Sequence, residues 1–182
     1  LVDKYKGKDT FTTFNEGYLF YLQLNFKNNT VANKNVREAL AYAINRKDLC
    51  ENVLKDGSMA ATGFVPSQLS KSPAGRDFRD DADKYVSYDQ KKAQEYLDAA
   101  KKELGTDTIT VDLLYGTDES PMDTMAEYLQ GSFTKLKGLK VNMVATVKKD
   151  RIYNREANGN FQVVCTRWGP DYADPTTYLN LA

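Results

Sequence analysis

Apolar and polar residues alternate in three short segments of the chain, and this period of two predicts β-strands; a fourth strand is predicted from an apolar run near the end of the chain. The alternation is clearest at residues 108–116, where Ile109, Val111, Leu113 and Tyr115 are predicted to face the core. The other two alternating segments are residues 18–26 and 139–147, and the apolar run is residues 161–168.

Apolar residues that recur every three to four positions predict helices between these strands. Residues 35–45 give the clearest pattern, with Asn35 as the predicted cap and Glu38 placed as in a capping box. The apolar stripe of this helix consists of Val36, Ala39, Leu40, Ala43 and Ile44. Asn45 is predicted to cap a second helix, which runs to about residue 55 and is terminated by Gly57.

Further along the chain, the same period predicts three more helices. Asp89 is the expected cap of the first, which runs to residue 104 and is terminated by Gly105. The next helix begins with Pro121 at its first position. A short helix is predicted at residues 149–157.

Two stretches show neither period, residues 28–35 and 58–89, and both are predicted to be loops. Irregular stretches as long as the second are usually functional or lie across a partner's surface.

Beginning with the predicted strand at residues 108–116, the order of elements is β-α-β-α-β, which predicts an α/β fold. We expect a mixed, mostly parallel sheet flanked by helices, with right-handed crossovers. In open sheets of this kind, ligands bind beyond the carboxyl ends of the strands. The loop of residues 168–174 follows the last predicted strand, so this loop is where a ligand is expected.

Composition narrows the classes of function. The chain has 182 residues, and its 25 basic residues balance its 25 acidic residues, so no strong positive field indicates nucleic acid. Histidine is absent, which removes Ser–His and Cys–His catalysis and the usual zinc ligands. No apolar run approaches the roughly 20 residues that span a bilayer. The chain begins with Leu1, so we expect it to be a piece of a longer protein.

Cys50 and Cys165 do not have the CxxC spacing of a redox or metal site. We expect two separate buried thiols, and a disulfide between them is the alternative.

Four segments of the chain, in order, resemble one protein family. They are "NVREALAYAINRKDL", "YDQKKAQEYLDAAKKELG", "ITVDLLYGTDES" and "FQVVCTRWGPDYADPTTYLN". Together they resemble the ABC-transporter extracellular solute-binding proteins of family 5, of the oligopeptide-binding type. The similarity spans residues 18–182, and Gln90 stands where the family more often has proline.

The resemblance implies a fold of the periplasmic binding protein type II kind. Proteins of this family have two lobes that close on an extended peptide. Residues 1–182 are then expected to be a single lobe, the C-terminal one, of a larger protein, with residues 1–15 frayed.

The resemblance also implies a ligand site in the last predicted loop. Asp171 matches the position of the family's aspartate for the peptide N-terminus, whose ammonium needs a carboxylate partner in a closed cleft. Backbone groups of Arg167 and Gly169 are expected to pair with the peptide as an added strand. Trp168 is expected to wall a side-chain pocket, with an ordinary core position as the alternative. Asp174 is interpreted as a structural aspartate, because it precedes Pro175 in a turn.

As implied by the family, the partners are an oligopeptide and the membrane permease of an ABC transporter. We expect a monomer with no cofactor, no metal and no bound nucleic acid. The location implied is the outer face of the plasma membrane, through a lipid anchor, or the periplasm.

Three other interpretations remain open. The same fold binds other solutes in related proteins, such as dipeptides, nickel chelates or sugars. Sensing of a peptide signal would use the same contacts as peptide uptake. A hydrolase that uses Asp171 and Asp174 is the least favoured interpretation, because the chain has no nucleophile motif, metal motif or phosphate loop, and we therefore expect no enzyme.

Overall fold

The computed structural model of the chain describes residues 2–82, 85 and 87–181. Five positions lie outside the described residues. They are residue 1 in the predicted frayed start, residues 83, 84 and 86 in the predicted long loop, and residue 182 at the end of the predicted lobe. No described helix is both long enough and apolar enough to cross a membrane.

The described chain divides into two compact units, each assembled from separate segments. The first unit draws on the described residues within 1–20, 46–86 and 167–182. The second unit comprises residues 21–45 and the described residues within 87–166.

The strands lie close to their predicted positions, with shorter bounds. They are β1 (Leu19–Leu24), β2 (Ile109–Gly116), β3 (Leu139–Thr146) and β4 (Val163–Trp168). They form one sheet in the order β1-β4-β2-β3. β2 pairs in parallel with β3 on one side and with β4 on the other, which confirms the α/β sheet that the order of elements predicted.

The helices of the second unit are α2 (Asn29–Ala32), α3 (Lys34–Ala43), α6 (Gln90–Leu104), α7 (Met122–Phe133) and α8 (Lys148–Asp150), the last continuing as a π-helix over Arg151–Glu156. The helices of the first unit are α1 (Val2–Tyr5), α4 (Arg46–Asp48) with a π-helix over Leu49–Leu54, α5 (Phe78–Asp81) and α9 (Thr176–Leu179).

The second unit contains a hydrophobic core between its helices and the sheet. α3 packs against α6, and α7 packs against β2 and β3. Leu97 is 1% exposed and Phe133 is 0% exposed, so each contributes roughly 1.5–3 kcal/mol through burial. The predicted apolar stripe of α3 lies in this core, as the periodicity indicated.

α6 agrees with its sequence signals at both ends. The side chain of Asp89 accepts a hydrogen bond from the backbone N–H of Lys92 at 2.9 Å. Gly105 adopts a left-handed conformation with φ of 64°, which glycine tolerates at a helix end.

The start of α3 differs from the prediction, and the stretch 28–35 is not a loop. Asn28 caps α2 by accepting from the N–H of Thr30, and Val31 of that helix is fully buried. Asn33, not Asn35, caps α3 by accepting from two backbone N–H groups. The side chain of Asn35 donates instead to Glu103 at 2.9 Å. Composition missed α2 because one buried valine supplies most of its packing.

Two other helix ends differ in detail. The helix after residue 45 extends to Leu54, close to its predicted end, but its C-cap is Lys55, with a left-handed φ of 51°, and not Gly57. Pro121 lies at the N-cap of α7 and not at its first helical position. α1 and α5 were not predicted, since each is only four residues long. Whether residues 1–15 fray is a question of motion and stays a prediction.

Both cysteines are free thiols, as expected, and Cys165 is buried; the expectation that both are buried is wrong for Cys50, which is only half-buried. Burial in β4 raises the pKa of the Cys165 thiol to about 12, so this thiol stays protonated and unreactive at neutral pH.

Candidate functional site

The loop that follows β4 contains the predicted ligand residues, and its backbone is held at several points within the first unit. The backbone N–H of Asp171 donates to the hydroxyl of Thr177 at 3.1 Å, and Thr177 is buried. The hydroxyl of Tyr178, the next residue, donates to the carbonyl of Gly17. The loop is therefore anchored to α9, and α9 to the chain segment that leads into β1.

The carboxylate of Asp171 is exposed to solvent. It makes no hydrogen bond and no ion pair with any of the residues that the structure describes, and only its backbone N–H is engaged. A carboxylate held on an anchored backbone without a protein partner is suited to a cation brought by a ligand.

Asp174 lies three residues away and has a different role. Its Oδ1 accepts from the backbone N–H of Thr176 at 2.9 Å and from the hydroxyl of Thr176 at 2.6 Å. The hydrogen bond from the Thr176 hydroxyl, followed by that from the backbone, lowers the pKa of Asp174 below its usual value. The structure thus confirms that Asp174 is a turn residue whose carboxylate is already used.

Gly169 allows a close approach between the loop and Tyr18, the residue before β1. A β-carbon at Gly169 would lie 2.6 Å from Cε1 of Tyr18, so any larger residue would displace the tyrosine ring. The neighbouring Pro170 also packs against a glycine. A β-carbon added at Gly17 would lie 3.1 Å from the Pro170 ring. These contacts explain why a glycine stands between Trp168 and Pro170.

The side chain of Arg167 lies over aromatic rings of the same unit. Its Cζ is 4.9 Å from the centroid of Tyr18 and 5.8 Å from that of Phe20, which is the geometry of a cation–π contact. Arg167 is the next-to-last residue of β4, and the prediction assigned its backbone to the pairing with a peptide.

Trp168 is half-buried, between the two alternatives that the sequence left open. Its indole Nε1 is buried and has no hydrogen-bond acceptor among the described residues. An unpaired buried donor costs about 1–3 kcal/mol.

A second cluster of charged groups, within the second unit, was missed by sequence reasoning. The guanidinium of Arg151 is 2% exposed and pairs with the carboxylates of Glu119 and Glu156. It also donates to the hydroxyl of Thr166 on β4 at 2.7 Å. No local pattern marks these residues, because Arg151 and Glu119 are 32 positions apart.

Burial raises the pKa of Glu156 above its usual value, although Arg151 and the hydrogen bonds to Glu156 act in the opposite direction. Burial also raises the pKa of Tyr21 on β1, with Glu156 contributing in the same direction. These groups form a buried ion cluster within the second unit. Among the described residues, no three acidic or thiol side chains are grouped so that they could hold a metal ion.

Comparisons with known proteins agree with the fold. Residues 1–182 match the family described as "Bacterial extracellular solute-binding proteins, family 5 Middle". The chain is 35% identical over 191 residues to the dipeptide-binding protein of Lactococcus lactis subsp. cremoris (strain MG1363), an alignment that covers 100% of this chain and 34% of that protein. The chain therefore spans about a third of the length of this curated relative.

Two solved structures have the same fold at similar identity. The substrate-binding domain of an oligopeptide ABC transporter from Bacillus anthracis superposes with a TM-score of 0.90 at 34% identity, over 98% of this chain and 35% of that chain. Listeria monocytogenes OppA bound to peptide superposes with a TM-score of 0.89 at 33% identity, over 99% of this chain and 36% of that chain. The match over all of its residues and these two superpositions show that the chain belongs to the bacterial extracellular solute-binding proteins of family 5.

Proposed function

We propose that this chain is the peptide-binding lobe of the substrate-binding protein of an ABC transporter, and that it captures extracellular oligopeptides for import. The observation that carries the proposal is the exposed carboxylate of Asp171, which lies on an anchored loop beyond β4 and has no partner among the described residues. The N-terminal ammonium of a peptide is the ligand group that this carboxylate fits.

The backbone at the end of β4 supports binding that is independent of peptide sequence. Main-chain N–H and C=O groups near Arg167 and Gly169 would pair with an extended peptide as an added strand. Such hydrogen bonds do not depend on the peptide's side chains, so many sequences are accepted.

Several properties of the whole protein follow from the proposal. The chain would be one lobe of a longer two-lobed protein, acting outside the membrane or in the periplasm and delivering peptide to a permease. It would act as a monomer without a cofactor. It would not be an enzyme, since the carboxylate of Asp174 is occupied by Thr176 and cannot serve with Asp171 as an acid/base pair.

Calorimetric titration of the intact protein tests this proposal. We expect saturable binding of free alanine peptides of three or more residues, and no saturable binding of glucose or Ni²⁺, because the site offers a carboxylate and main-chain groups but no histidine. Saturable binding of the sugar or the metal ion in the absence of peptide binding would overturn the proposal.

A further inference from the structure

The buried cluster around Arg151 makes an unusually complete set of contacts within the second unit. Nε and Nη2 of Arg151 both donate to Oε2 of Glu119, at 3.1 Å and 2.7 Å. Nη1 donates to Thr166 at 2.7 Å and also to Glu156. One guanidinium thus links the loop after β2, the π-helix that begins at Arg151, and strand β4.

The hydroxyl of Thr166 is the point at which this cluster meets β4. It accepts from Arg151 and donates to Oε2 of Glu156 at 3.3 Å, so it acts as both acceptor and donor in the cluster. Thr166 is 4% exposed, and its side chain is therefore held from two sides inside the unit.

The pairing of β4 with β2 shows why this contact matters for the strand. The two strands pair at Leu113 with Val163 and at Leu114 with Val164. Thr166 lies two residues beyond this register and two residues before Trp168. The link from Thr166 through Arg151 to Glu119 connects β4 to the loop after β2 beyond these two pairs.

Gly116, the last residue of β2, makes room for the cluster. A β-carbon at Gly116 would lie 2.9 Å from Oε2 of Glu119 and 3.6 Å from Nε of Arg151. Because the guanidinium is planar and its donors are fixed in direction, this packing allows Arg151 only a narrow range of positions. A rigid donor gives Thr166 a rigid position in turn.

We infer that Arg151 is a positioning residue that acts through the hydroxyl of Thr166 to fix the carboxyl end of β4. The same strand continues through Arg167 and Trp168. The expected effect on peptide affinity rests on the proposed function, whereas the effect on the strand does not.

The test compares Thr166→Val, which removes the hydroxyl and keeps the shape, with Thr166→Ser, which keeps the hydroxyl. Amide hydrogen exchange, read by mass spectrometry over the end of β4 in the intact protein, reports the order of the strand. We expect the exchange rate there to rise about fivefold in Thr166→Val, because the loss of one hydrogen bond changes an opening equilibrium by about that factor. In Thr166→Ser, the exchange rate should stay within about twofold of that in the unaltered protein. Arg151→Lys, which keeps the charge but not the fork of donors, should behave like Thr166→Val.

The affinity for tri-alanine is measured on the same samples. We expect this affinity to fall about fivefold in Thr166→Val and to stay unchanged in Thr166→Ser. Unchanged exchange at the end of β4 in Thr166→Val would overturn the inference, and so would a rise spread evenly over the second unit, which indicates a purely structural role. If the unaltered protein binds no peptide while the local rise in exchange is found, the proposed function fails and the inference stands.

Discussion

Replacement of Asp171 by asparagine is expected to weaken the binding of free peptides by on the order of 100-fold. Asparagine keeps the size of the side chain and removes its charge, so the peptide ammonium would enter the closed site without a counter-ion. The cost of an unpaired buried charge exceeds the value of the hydrogen bond alone. The carboxylate makes no hydrogen bond or ion pair with the described residues, so the fold itself should not change.

Calorimetry with free and N-acetylated forms of the same peptide checks this expectation. Acetylation removes the ammonium, so the variant and the unaltered protein should bind the acetylated peptide with equal affinity. Asp174→Asn is the matched control, since it makes the same chemical change in the same loop while an amide oxygen still caps Thr176. We expect it to leave peptide affinity unchanged. Equal losses for the free and acetylated peptides in Asp171→Asn would remove Asp171 from its assigned role.

The second large effect is expected on stability. Arg151→Met should lower the free energy of unfolding by about 3–5 kcal/mol, because it leaves Glu119 buried without its main partner. The side chain of Glu119 is 4% exposed, and another cation near it is Lys148, whose side chain is half-exposed and whose Nζ lies 3.5 Å from Oε1. Denaturant unfolding of the two proteins at neutral pH measures the difference.

Glu156→Gln is the control for this prediction, and we expect it to cost little. Burial raises the pKa of Glu156, so the folded protein holds the charged form of this carboxyl at a cost. A raised pKa means that the contribution of the group to stability is present at low pH and is lost as the pH rises through that pKa. Glutamine has no charge to lose or gain. The free energy of unfolding of the variant, relative to that of the unaltered protein, should therefore be highest at neutral pH and should fall as the pH falls. A loss as large as that of Arg151→Met would show that the pair, and not burial, governs Glu156.

Those parts of the fold that depend on local pattern could be predicted from the sequence. α6 was predicted with both ends because Asp89 and Gly105 act on neighbouring backbone groups. β2 was predicted because its residues alternate between core and surface. α2 was missed because its four residues show no period, and Val31 stabilises it through contacts that are distant in sequence.

In the candidate site, too, the sequence predicted the role that depends on neighbouring residues but not the contacts between distant segments. The interpretation of Asp174 depended on its neighbours in the chain and was confirmed. The role of Asp171 came from resemblance to a family, since nothing local distinguishes one loop aspartate from another, and it stays a prediction. The cluster of Arg151, Glu119 and Thr166 joins three separate segments, and only the folded chain brings them together.

A crystal structure of the intact protein with bound tri-alanine tests the central claim most directly. The account predicts that the peptide ammonium lies within about 3 Å of a carboxylate oxygen of Asp171, the distance of a charge-assisted hydrogen bond. A peptide whose ammonium pairs with a different carboxylate, while that of Asp171 remains in solvent, would contradict it.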